Sequence, residues 1–392
     1  MARARTKDSI EDLIRRASDK VRRTYKGAIS ERAATALELP SVFVSSGSLV
    51  LDRLCAGVNP GGFPIGPRLG RVVHLAGEFS TAKTLVLDHV LKGIQDLGGI
   101  GLVSETEGTR DPHFAAAIGL DLDLLEIQRP GTLEEAIDQG LTFHDEIRRT
   151  AGGATVPFVW GLDSLDTTET QRTAEKGLSQ GGGWHYGGGK SEALSAGLRK
   201  IVQRCARYPT TFILLNQTRD VVQTGPMQFG PKKRTTGGNA PHVFASLELM
   251  FSPSLLGVVR AKSPMQPLGK DLVKKLGLYG ADKGWVIGRW IRARITKTKI
   301  APTLFDEGDF YVDFRRGVHR WGGLLQAMLR EGRIELTPDG AGVRMRHETE
   351  DLEFESQALW LIWMNNHLDV LKTPKGVTAQ DAASETEPEE TS

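Results

Sequence analysis

The sequence is poor in cysteine and has no long apolar run. Cys55 and Cys205 are the two cysteines in 392 residues, and neither has a histidine or cysteine nearby at metal-ligand spacing. This excludes a disulfide framework and a cysteine-based zinc site. The opening MARARTKDSIEDLIRR lacks the apolar core of a signal peptide, and no stretch is as apolar and long as a membrane span. We therefore expect a soluble protein of a reducing cytoplasm.

A strong overall charge bias is also absent. The formal net charge is +2, and 25% of the residues are charged, so charge alone does not indicate a polyanionic partner. Basic residues do exceed acidic ones in residues 1–34, where apolar residues recur at helical spacing from Ile10 to Val21. This pattern predicts an amphipathic helix that either meets an acidic or phosphate-bearing partner or packs on its own core.

Short apolar segments alternate with helical ones from residue 41 to about residue 300. The predicted strands are residues 71–77, 99–105, 156–163, 210–217, 246–252 and 289–299, and the clearest helices are residues 84–98 and 191–208. This alternation predicts an α/β fold with a mostly parallel central sheet flanked by helices on both faces. Long polar connections at 166–190 and 218–241 interrupt the pattern, and such connections are usually functional or disordered.

Four parts follow from these patterns. Residues 1–40 are predicted to form a basic N-terminal helix and linker that serves as an oligomerisation arm, and residues 41–320 the core that carries both long connections. Residues 321–372 predict a small C-terminal α+β domain with a hairpin between two helices. Residues 373–392 form an acidic tail with too few apolar side chains to fold.

The octet GEFSTAKT, residues 77–84, follows an apolar strand and precedes an amphipathic helix, as a phosphate-binding loop does. Its backbone N–H groups would surround phosphates, Lys83 would supply a cation, and the Thr84 hydroxyl would bind magnesium. Ala82 departs from the pattern G-x-x-x-x-G-K-[ST]. If that position requires a positive φ, its Cβ costs on the order of 1 kcal/mol. The alternative is a turn of small residues with a chance lysine.

Carboxylates follow two other predicted strands. Asp163 ends FVWGLD and is the candidate that shares a magnesium ion with Thr84. Glu105 and Glu107, in SETEGTRDP, follow another strand, where a carboxylate can orient and deprotonate an attacking water. Because acids are also common in ordinary turns, these assignments depend on the neighbouring phosphate loop.

Taken in order, these motifs resemble those of the RecA-type recombinases, the ATP-dependent filament proteins of homologous recombination. The resemblance covers about residues 41–317 and is most selective in LLNQTRD, TTGGNA and ITKTKIAP. It implies a RecA-like P-loop ATPase core and a DNA-dependent ATPase that uses ATP and Mg2+. The ATP-binding loop is assigned to Gly77, Glu78, Phe79, Ser80, Thr81, Ala82, Lys83, Thr84 and Leu85.

The resemblance also implies roles for residues outside the loop. Glu107 maps to the catalytic glutamate, which acts with Lys83, and Gln217 maps to the glutamine that senses the γ-phosphate. Asp111 and Phe114 fall where the family contacts adenine.

Two lysines of KTK complete the implied ATP site. Lys297 and Lys299 fall where the family reaches the ATP bound by a neighbouring subunit. ATP would therefore lie at the interface between copies of this chain.

The long connections take the places of the family's two DNA-binding loops. Glycines, basic residues and large apolar side chains there suit sequence-independent binding of a single strand. The predicted DNA contacts are Ser195, Arg199, Trp184, Met227, Phe229, Lys232, Lys233, Arg234, Thr236, Gly237, Gly238 and Asn239. For Trp184, docking back onto the protein is an equal alternative.

The implied function is a recombinase that forms a helical filament on single-stranded DNA and exchanges the strand into homologous double-stranded DNA. The implied location is a bacterial cytoplasm, including that of a host if a phage encodes the chain. Departures from the family pattern are Ala82, Leu85, and the length and glycine content of the loops. Two alternatives stay open: a ring motor such as a helicase, and a weakly hydrolysing filament or mediator protein.

Overall fold

The computed structural model describes residues 7–24, 42–56, 63–65, 71–175, 188–220, 233–261, 285–299, 307–347 and 350–367. The helices are α1 (Lys7–Thr24), α2 (Leu49–Ala56), α3 (Lys83–Asp96), α4 (Pro112–Ala117), α5 (Leu133–Arg149), α6 (Gln171–Ala174), α7 (Gly188–Arg207), α8 (Ala240–Phe244), α9 (Leu324–Arg330) and α10 (Gln357–Asn366). The first strands are β1 (Val42–Val44), β2 (Phe63–Ile65), β3 (Val72–Gly77), β4 (Ile100–Glu105), β5 (Leu125–Gln128), β6 (Phe158–Asp163), β7 (Thr210–Asp220) and β8 (Lys233–Thr235). The others are β9 (Leu247–Ala261), β10 (Trp285–Thr298), β11 (Glu307–Asp313), β12 (Gly317–Val318), β13 (Ile334–Leu336), β14 (Val343–His347) and β15 (Glu350–Phe354).

The main sheet has the strand order β12-β11-β10-β9-β3-β7-β6-β4-β5, and β8 pairs with β7. Within the run β9-β3-β7-β6-β4-β5, each strand is parallel to the next. Strands β9, β10, β11 and β12 pair antiparallel and extend the sheet on one side, and β8 is antiparallel to β7. The predicted α/β fold with a mostly parallel central sheet is therefore confirmed. The antiparallel extension was not predicted, although segments of β9 and β10 were predicted to be strands.

Alternate residues of the central strands face two hydrophobic clusters. In β6, Val159 packs in the cluster with α3, whereas Phe158 and Trp160 pack in the cluster with α5 and α7. Strands buried on both faces have near-continuous apolar sequences, as FVWGL does. The sheet is thus covered by helices on both sides, and its strand ends are held by packing on either face.

Strands β9 and β10 are longer than the predicted segments. Residues 246–252 and 289–299 were predicted, but β9 continues to Ala261 and β10 begins at Trp285. The two strands pair with each other beyond the end of β3, so their hydrogen bonds are satisfied without the rest of the sheet. Their exposed outer segments lack the apolar pattern that marks a buried strand.

A second, smaller sheet follows in the chain. The predicted hairpin through residues 337–342 joins β13 to β14, and β15 completes an antiparallel sheet of order β13-β14-β15. Trp360 and Met364 of α10 are buried in the same cluster as α3. The domain boundaries remain a prediction, and the tail at 373–392 lies outside the described residues. Across the ranges given above, no helix combines the length and apolar character needed to cross a bilayer.

Candidate functional site

The predicted phosphate loop and carboxylates meet at one edge of the sheet. Gly77, at the end of β3, pairs with Gln217 of β7, and Glu105 of β4 pairs with Asp163 of β6. These strands are parallel, so their carboxyl ends lie on the same side. In open α/β sheets, ligands bind in the crevice at this edge.

The phosphate loop has a strained backbone. Ser80 has φ 55° and Ala82 has φ 63°, so two residues with a Cβ occupy the left-handed region within one loop. Each such conformation costs roughly 1–2 kcal/mol for a residue other than glycine. Ala82 is the N-cap of α3, and its methyl side chain cannot accept a hydrogen bond from the first turn of the helix. The N–H groups of the first turn of α3 are therefore free of a side-chain cap from Ala82, as a phosphate-binding helix end requires.

Gly77 brings the loop against the neighbouring strand. A Cβ on Gly77 would lie 2.4 Å from the carbonyl oxygen of Phe251 in β9, which is closer than atoms can approach. The N–H of Glu78 donates to the same carbonyl at 3.3 Å. The first residue of the octet is thus glycine because two backbones meet there.

Lys83 lies inside the loop. Its Nζ donates to the carbonyls of Gly77 and Glu78 at 3.1 and 2.7 Å. Burial lowers the pKa of Lys83, and the negative charges of Asp163 and Glu107 partly offset that effect. The ammonium is held at the centre of the loop by weak backbone acceptors, which a phosphate oxygen can replace.

Thr84 and Asp163 lie together beside Lys83. Burial raises the pKa of Asp163 to about 6, a hydrogen bond from the Thr84 hydroxyl opposes the rise, and the charge of Glu107 adds to it. A buried carboxylate next to a hydroxyl is a suitable oxygen ligand set for Mg2+ shared with phosphate oxygens. In the part of the chain that the structure describes, no group of three or more His, Cys, Asp and Glu residues could hold a metal by itself. Thr84 and Asp163 offer two oxygen ligands that fit a Mg2+ ion also held by phosphate oxygens.

Glu107 receives two hydrogen bonds on one oxygen. Gln217 Nε2 lies 3.0 Å, and Ser164 Oγ 2.5 Å, from Glu107 Oε1. Both donors come from the ends of neighbouring strands, β7 and the segment after β6. They fix the carboxylate at the carboxyl edge of the sheet, beside the ends of β6 and β7. The predicted catalytic and sensing residues are thus brought into direct contact.

Glu105 is placed differently from Glu107. It is buried, accepts the Thr109 N–H at 3.2 Å, and has Arg129 Nε 3.5 Å from its other oxygen. Arg110, from the same loop, forms a buried ion pair with Asp88 of α3. These pairs brace the segment that carries Glu107, and neither was predicted.

Asp111 and Phe114 lie at the start of α4. The Asp111 carboxylate is the N-cap and accepts the N–H of His113 at 2.9 Å. Phe114 is half-buried and Asp111 exposed. Capping accounts for Asp111 structurally, so its assignment to adenine stays a prediction.

Lys297 and Lys299 lie far from the phosphate loop of their own chain. In the register of the sheet, Lys297 of β10 lies opposite Glu248 of β9, and Glu248 lies opposite His74, near the start of β3. Lys297 Nζ donates to the carbonyls of His242 and Val243 at the end of α8. The ammonium thus faces the edge of the sheet at which β9 begins, whereas the phosphate loop follows the other edge.

Asp166 ties the two long connections together. Its carboxylate accepts the Thr236 hydroxyl and the Arg219 guanidinium, whose Nη2 lies 2.6 Å from Oδ2. Asn216 Nδ2 also donates to the Thr236 carbonyl at 2.8 Å. Lys190 Nζ returns to the carbonyl of Asp166 at 3.3 Å. The ends of both connections therefore meet beside β7.

The predicted DNA contacts that the structure describes lie near this junction. Gly237 and Gly238 have φ 89° and 62°, and a Cβ on Gly238 would lie 2.9 Å from Ser191 Oγ. Ser195, whose Oγ donates to the Ser191 carbonyl, and Arg199 follow at helical spacing along α7. The other predicted DNA contacts in or just before TTGGNA are Lys233, of which the backbone is described, Arg234 and Asn239, which are exposed, and Thr236. Trp184, Met227, Phe229 and Lys232 lie outside the described residues.

Sequence reasoning missed Asp166, Ser164 and Asn216. Ser164 and Asp166 closely follow the strand end FVWGLD, and Asn216 lies within LLNQTRD. Since successive residues of a strand face opposite sides, the pair Asn216–Gln217 was a signal for two separate polar contacts. Gln217 contacts Glu107, and Asn216 contacts Thr236.

Comparisons with known proteins point to a single family. The family model described as the RecA N-terminal domain matches residues 13–255. A Protein RecA of Borreliella afzelii is 28% identical over 332 residues, which cover 84% of this chain and 79% of that protein. Protein RecA of an Arthrobacter species is 29% identical over 310 residues, covering 79% and 75%. Protein RecA 1 of Myxococcus xanthus is 28% identical over 347 residues, covering 88% and 86%.

Proposed function

The chain belongs to the RecA N-terminal domain family, and from that premise we propose that it is a DNA-dependent ATPase that assembles on single-stranded DNA and exchanges it into a homologous duplex. The observation that carries the proposal is the hydrogen bond from Gln217 to Glu107. This hydrogen bond joins the candidate nucleotide-binding site to β7, the strand that leads into the candidate DNA-binding connection at 218–241.

The nucleotide would occupy the loop at residues 77–84. Lys83 would exchange the carbonyls of Gly77 and Glu78 for phosphate oxygens, a stronger, charge-assisted pairing. Thr84 and Asp163 would hold Mg2+, which would neutralise part of the phosphate charge. Phe79 of this loop is exposed, and Leu85, which follows the loop, is half-buried.

Glu107 would act on the attacking water. Its Oε1 is fixed by Ser164 and Gln217, so the carboxylate has a defined orientation at the strand ends. A general base in this position takes the proton from water as it attacks phosphorus. Ser164 would keep the carboxylate in place when Gln217 turns away.

Gln217 would report the nucleotide state to the DNA-binding segment. It ends the part of β7 that pairs with β3, and the next residue, Thr218, pairs with Thr235 of β8. A γ-phosphate that competes with Glu107 for the Gln217 amide would shift this two-stranded segment, and with it Thr236. Such differential binding between two states is what a nucleotide switch needs.

The assembly would be head-to-tail. Lys297 and the phosphate loop face opposite edges of the sheet, so one protomer cannot supply both to one nucleotide without rearrangement. A head-to-tail contact that does not close generates a helical filament, whereas one that closes generates a ring. Lys297 and Lys299 would meet the ATP of the next protomer.

ATP hydrolysis with and without single-stranded DNA, combined with negative-stain imaging of the same samples, tests this proposal. DNA-stimulated hydrolysis with helical filaments is expected. Closed rings would favour the ring motor, and filaments without turnover would favour a structural or mediator protein. Absence of nucleotide binding would contradict all three.

A further inference from the structure

The phosphate loop needs an external support because its conformation is unfavourable. Ser80 and Ala82 both have positive φ, and Ala82 stands where glycine would adopt this conformation without strain. The contacts of Thr81 and Lys83 are with carbonyls of the loop itself, Gly77 and Glu78. Contacts within a loop move with it and do not fix its position on the sheet.

Arg289 supplies a contact from outside the loop. Its Nη1 donates to the carbonyl oxygen of Ser80 at 2.8 Å, across 209 positions of sequence. That carbonyl lies between the two residues with positive φ. A hydrogen bond there opposes rotation of the adjoining peptide planes, which is the motion by which Ala82 would relax.

The sheet is built so that Arg289 reaches the loop. Arg289 pairs with Val258, and Ile291 pairs with Pro253, so β9 has a bulge of several residues opposite β10. Gly257, with φ 70°, makes the turn in that bulge. Bulges of this kind redirect side chains and are frequent beside active sites.

The bulge is itself anchored. Ser254 is buried and donates its hydroxyl to Asp309 of β11. Asp309 also accepts Arg292 Nη2 at 2.9 Å. The segment of β10 that carries Arg289 is thus paired with β11 on one side and with β9 on the other.

We propose that Arg289 is a positioning residue that holds the phosphate loop in its binding conformation and compensates for alanine at position 82. The inference rests on the proposed nucleotide-binding function. When Arg289 is lost, Ala82 relaxes toward negative φ and turns the loop N–H groups away from the phosphates. Glycine at position 82 adopts a positive φ without strain, so little of the effect of Arg289 remains even though Ser80 keeps its own positive φ.

Four proteins test this: the wild type, Arg289→Ala, Ala82→Gly and the double variant. The probe is a fluorescent ATP analogue with magnesium. Arg289→Ala is expected to weaken binding by about fivefold, which corresponds to about 1 kcal/mol. Ala82→Gly is expected to bind at least as tightly as wild type, and the double variant within about twofold of Ala82→Gly. In hydrolysis, Arg289→Ala should raise KM for ATP and leave kcat nearly unchanged.

Two further variants separate position from charge. Arg289→Lys keeps one donor and is expected to restore part of the lost affinity. Arg294→Ala removes an exposed arginine from the same strand and is expected to bind the analogue as wild type does. Equal losses for Arg294→Ala and Arg289→Ala would overturn the proposal in favour of a general charge effect. Arg289→Ala could also lower nucleotide affinity by the same factor in the wild type and in Ala82→Gly. That result would overturn the proposal, because Arg289 would then bind the nucleotide itself.

Hydrogen exchange without nucleotide separates this inference from the proposed function. The amides of residues 79–84 should exchange faster in Arg289→Ala than in wild type, and the difference should disappear when both proteins also carry Ala82→Gly. If this pattern is found but the wild type binds no nucleotide, the proposed function fails while the support of the loop by Arg289 stands. If exchange is unchanged in Arg289→Ala although the wild type binds nucleotide, the inference fails alone.

Discussion

The side-chain amide of Gln217 donates to the carboxylate of Glu107, with Nε2 3.0 Å from Oε1. The two residues are 110 positions apart in sequence, and they meet because β4 and β7 end at the same edge of the sheet. Any movement of Gln217 away from Glu107 breaks this hydrogen bond. Changes at the hydrolytic carboxylate would therefore be felt in the strand that leads to TTGGNA.

Glu107→Gln is expected to lower ATP hydrolysis by roughly 10²- to 10⁴-fold, because an amide cannot take the proton from water. Nucleotide-dependent DNA binding should be retained. Phosphate release and DNA binding are measured on the same protein. Glu105→Gln is the matched control: the buried Glu105 braces a loop, so a smaller loss of hydrolysis is expected. A larger loss of hydrolysis in Glu105→Gln than in Glu107→Gln would contradict the assignment of Glu107 as the general base.

Gly77→Ala is expected to lower the free energy of unfolding by about 1–3 kcal/mol, since the new Cβ overlaps a backbone carbonyl. Nucleotide affinity should fall with it because the loop is displaced from β9. Urea unfolding and binding of a fluorescent nucleotide measure the two effects. Gly189→Ala, whose Cβ would lie 4.0 Å from Thr170 Oγ1, should lose neither stability nor nucleotide affinity. Full nucleotide affinity in Gly77→Ala would contradict the close-approach explanation.

Glu248 gives a stability effect that depends on pH. Burial by itself would raise the pKa of Glu248, but hydrogen bonds from His74 and Thr296 outweigh it and hold the pKa at about 2. A carboxylate with a depressed pKa stabilises the fold above its unfolded pKa of 4.5, and that stabilisation is lost as the pH falls toward 2.

Glu248→Gln should therefore lower the free energy of unfolding at pH 7 by roughly 2 kcal/mol, with allowance for partial solvent screening. The difference from wild type should shrink between pH 4.5 and pH 2. Chemical denaturation at several pH values measures it. Glu126→Gln, at an exposed position of β5, should show no such trend. A difference that is constant with pH would rule out the ionised carboxylate as its source.

Asp166→Asn should weaken binding of single-stranded DNA without changing nucleotide affinity. The amide cannot pair with Arg219 as an ion, and a charged hydrogen bond of this kind contributes about 1.5–3 kcal/mol. Fluorescence anisotropy with a labelled oligonucleotide measures the change. Asp138→Asn removes an exposed carboxylate 3.8 Å from Lys200, a pairing too weak to matter, and serves as control. Equal DNA affinity in wild type and Asp166→Asn would show that the junction is structural only.

The parallel core was predictable because its strands are buried on both faces and its motifs stand at strand ends. FVWGLD and LLNQ combine an apolar run with a terminal polar residue, so both the strand and the candidate side chain could be predicted. The family resemblance implied the roles of Glu107 and Gln217, but it did not predict the hydrogen bond between them.

Other features depend on tertiary pairing that a single sequence does not encode locally. The extension of β9 and β10 has exposed apolar residues such as Leu255, so no buried period marks it. Arg289 is one of three arginines in β10, Asp166 lies in a polar segment after β6, and the partners of both residues lie far away in sequence. Ala82 was visible as a departure from the pattern, but its support by Arg289 needed the fold.

The most direct test of the account is the affinity for single-stranded DNA with a non-hydrolysable ATP analogue and with ADP, in wild type and in Gln217→Ala. The wild type should bind DNA at least about tenfold more tightly with the ATP analogue, a coupling of ordinary size for two linked sites. Gln217→Ala should bind both nucleotides yet lose most of that difference. An undiminished difference in Gln217→Ala would contradict the claim that this glutamine links the nucleotide site to the DNA-binding segment.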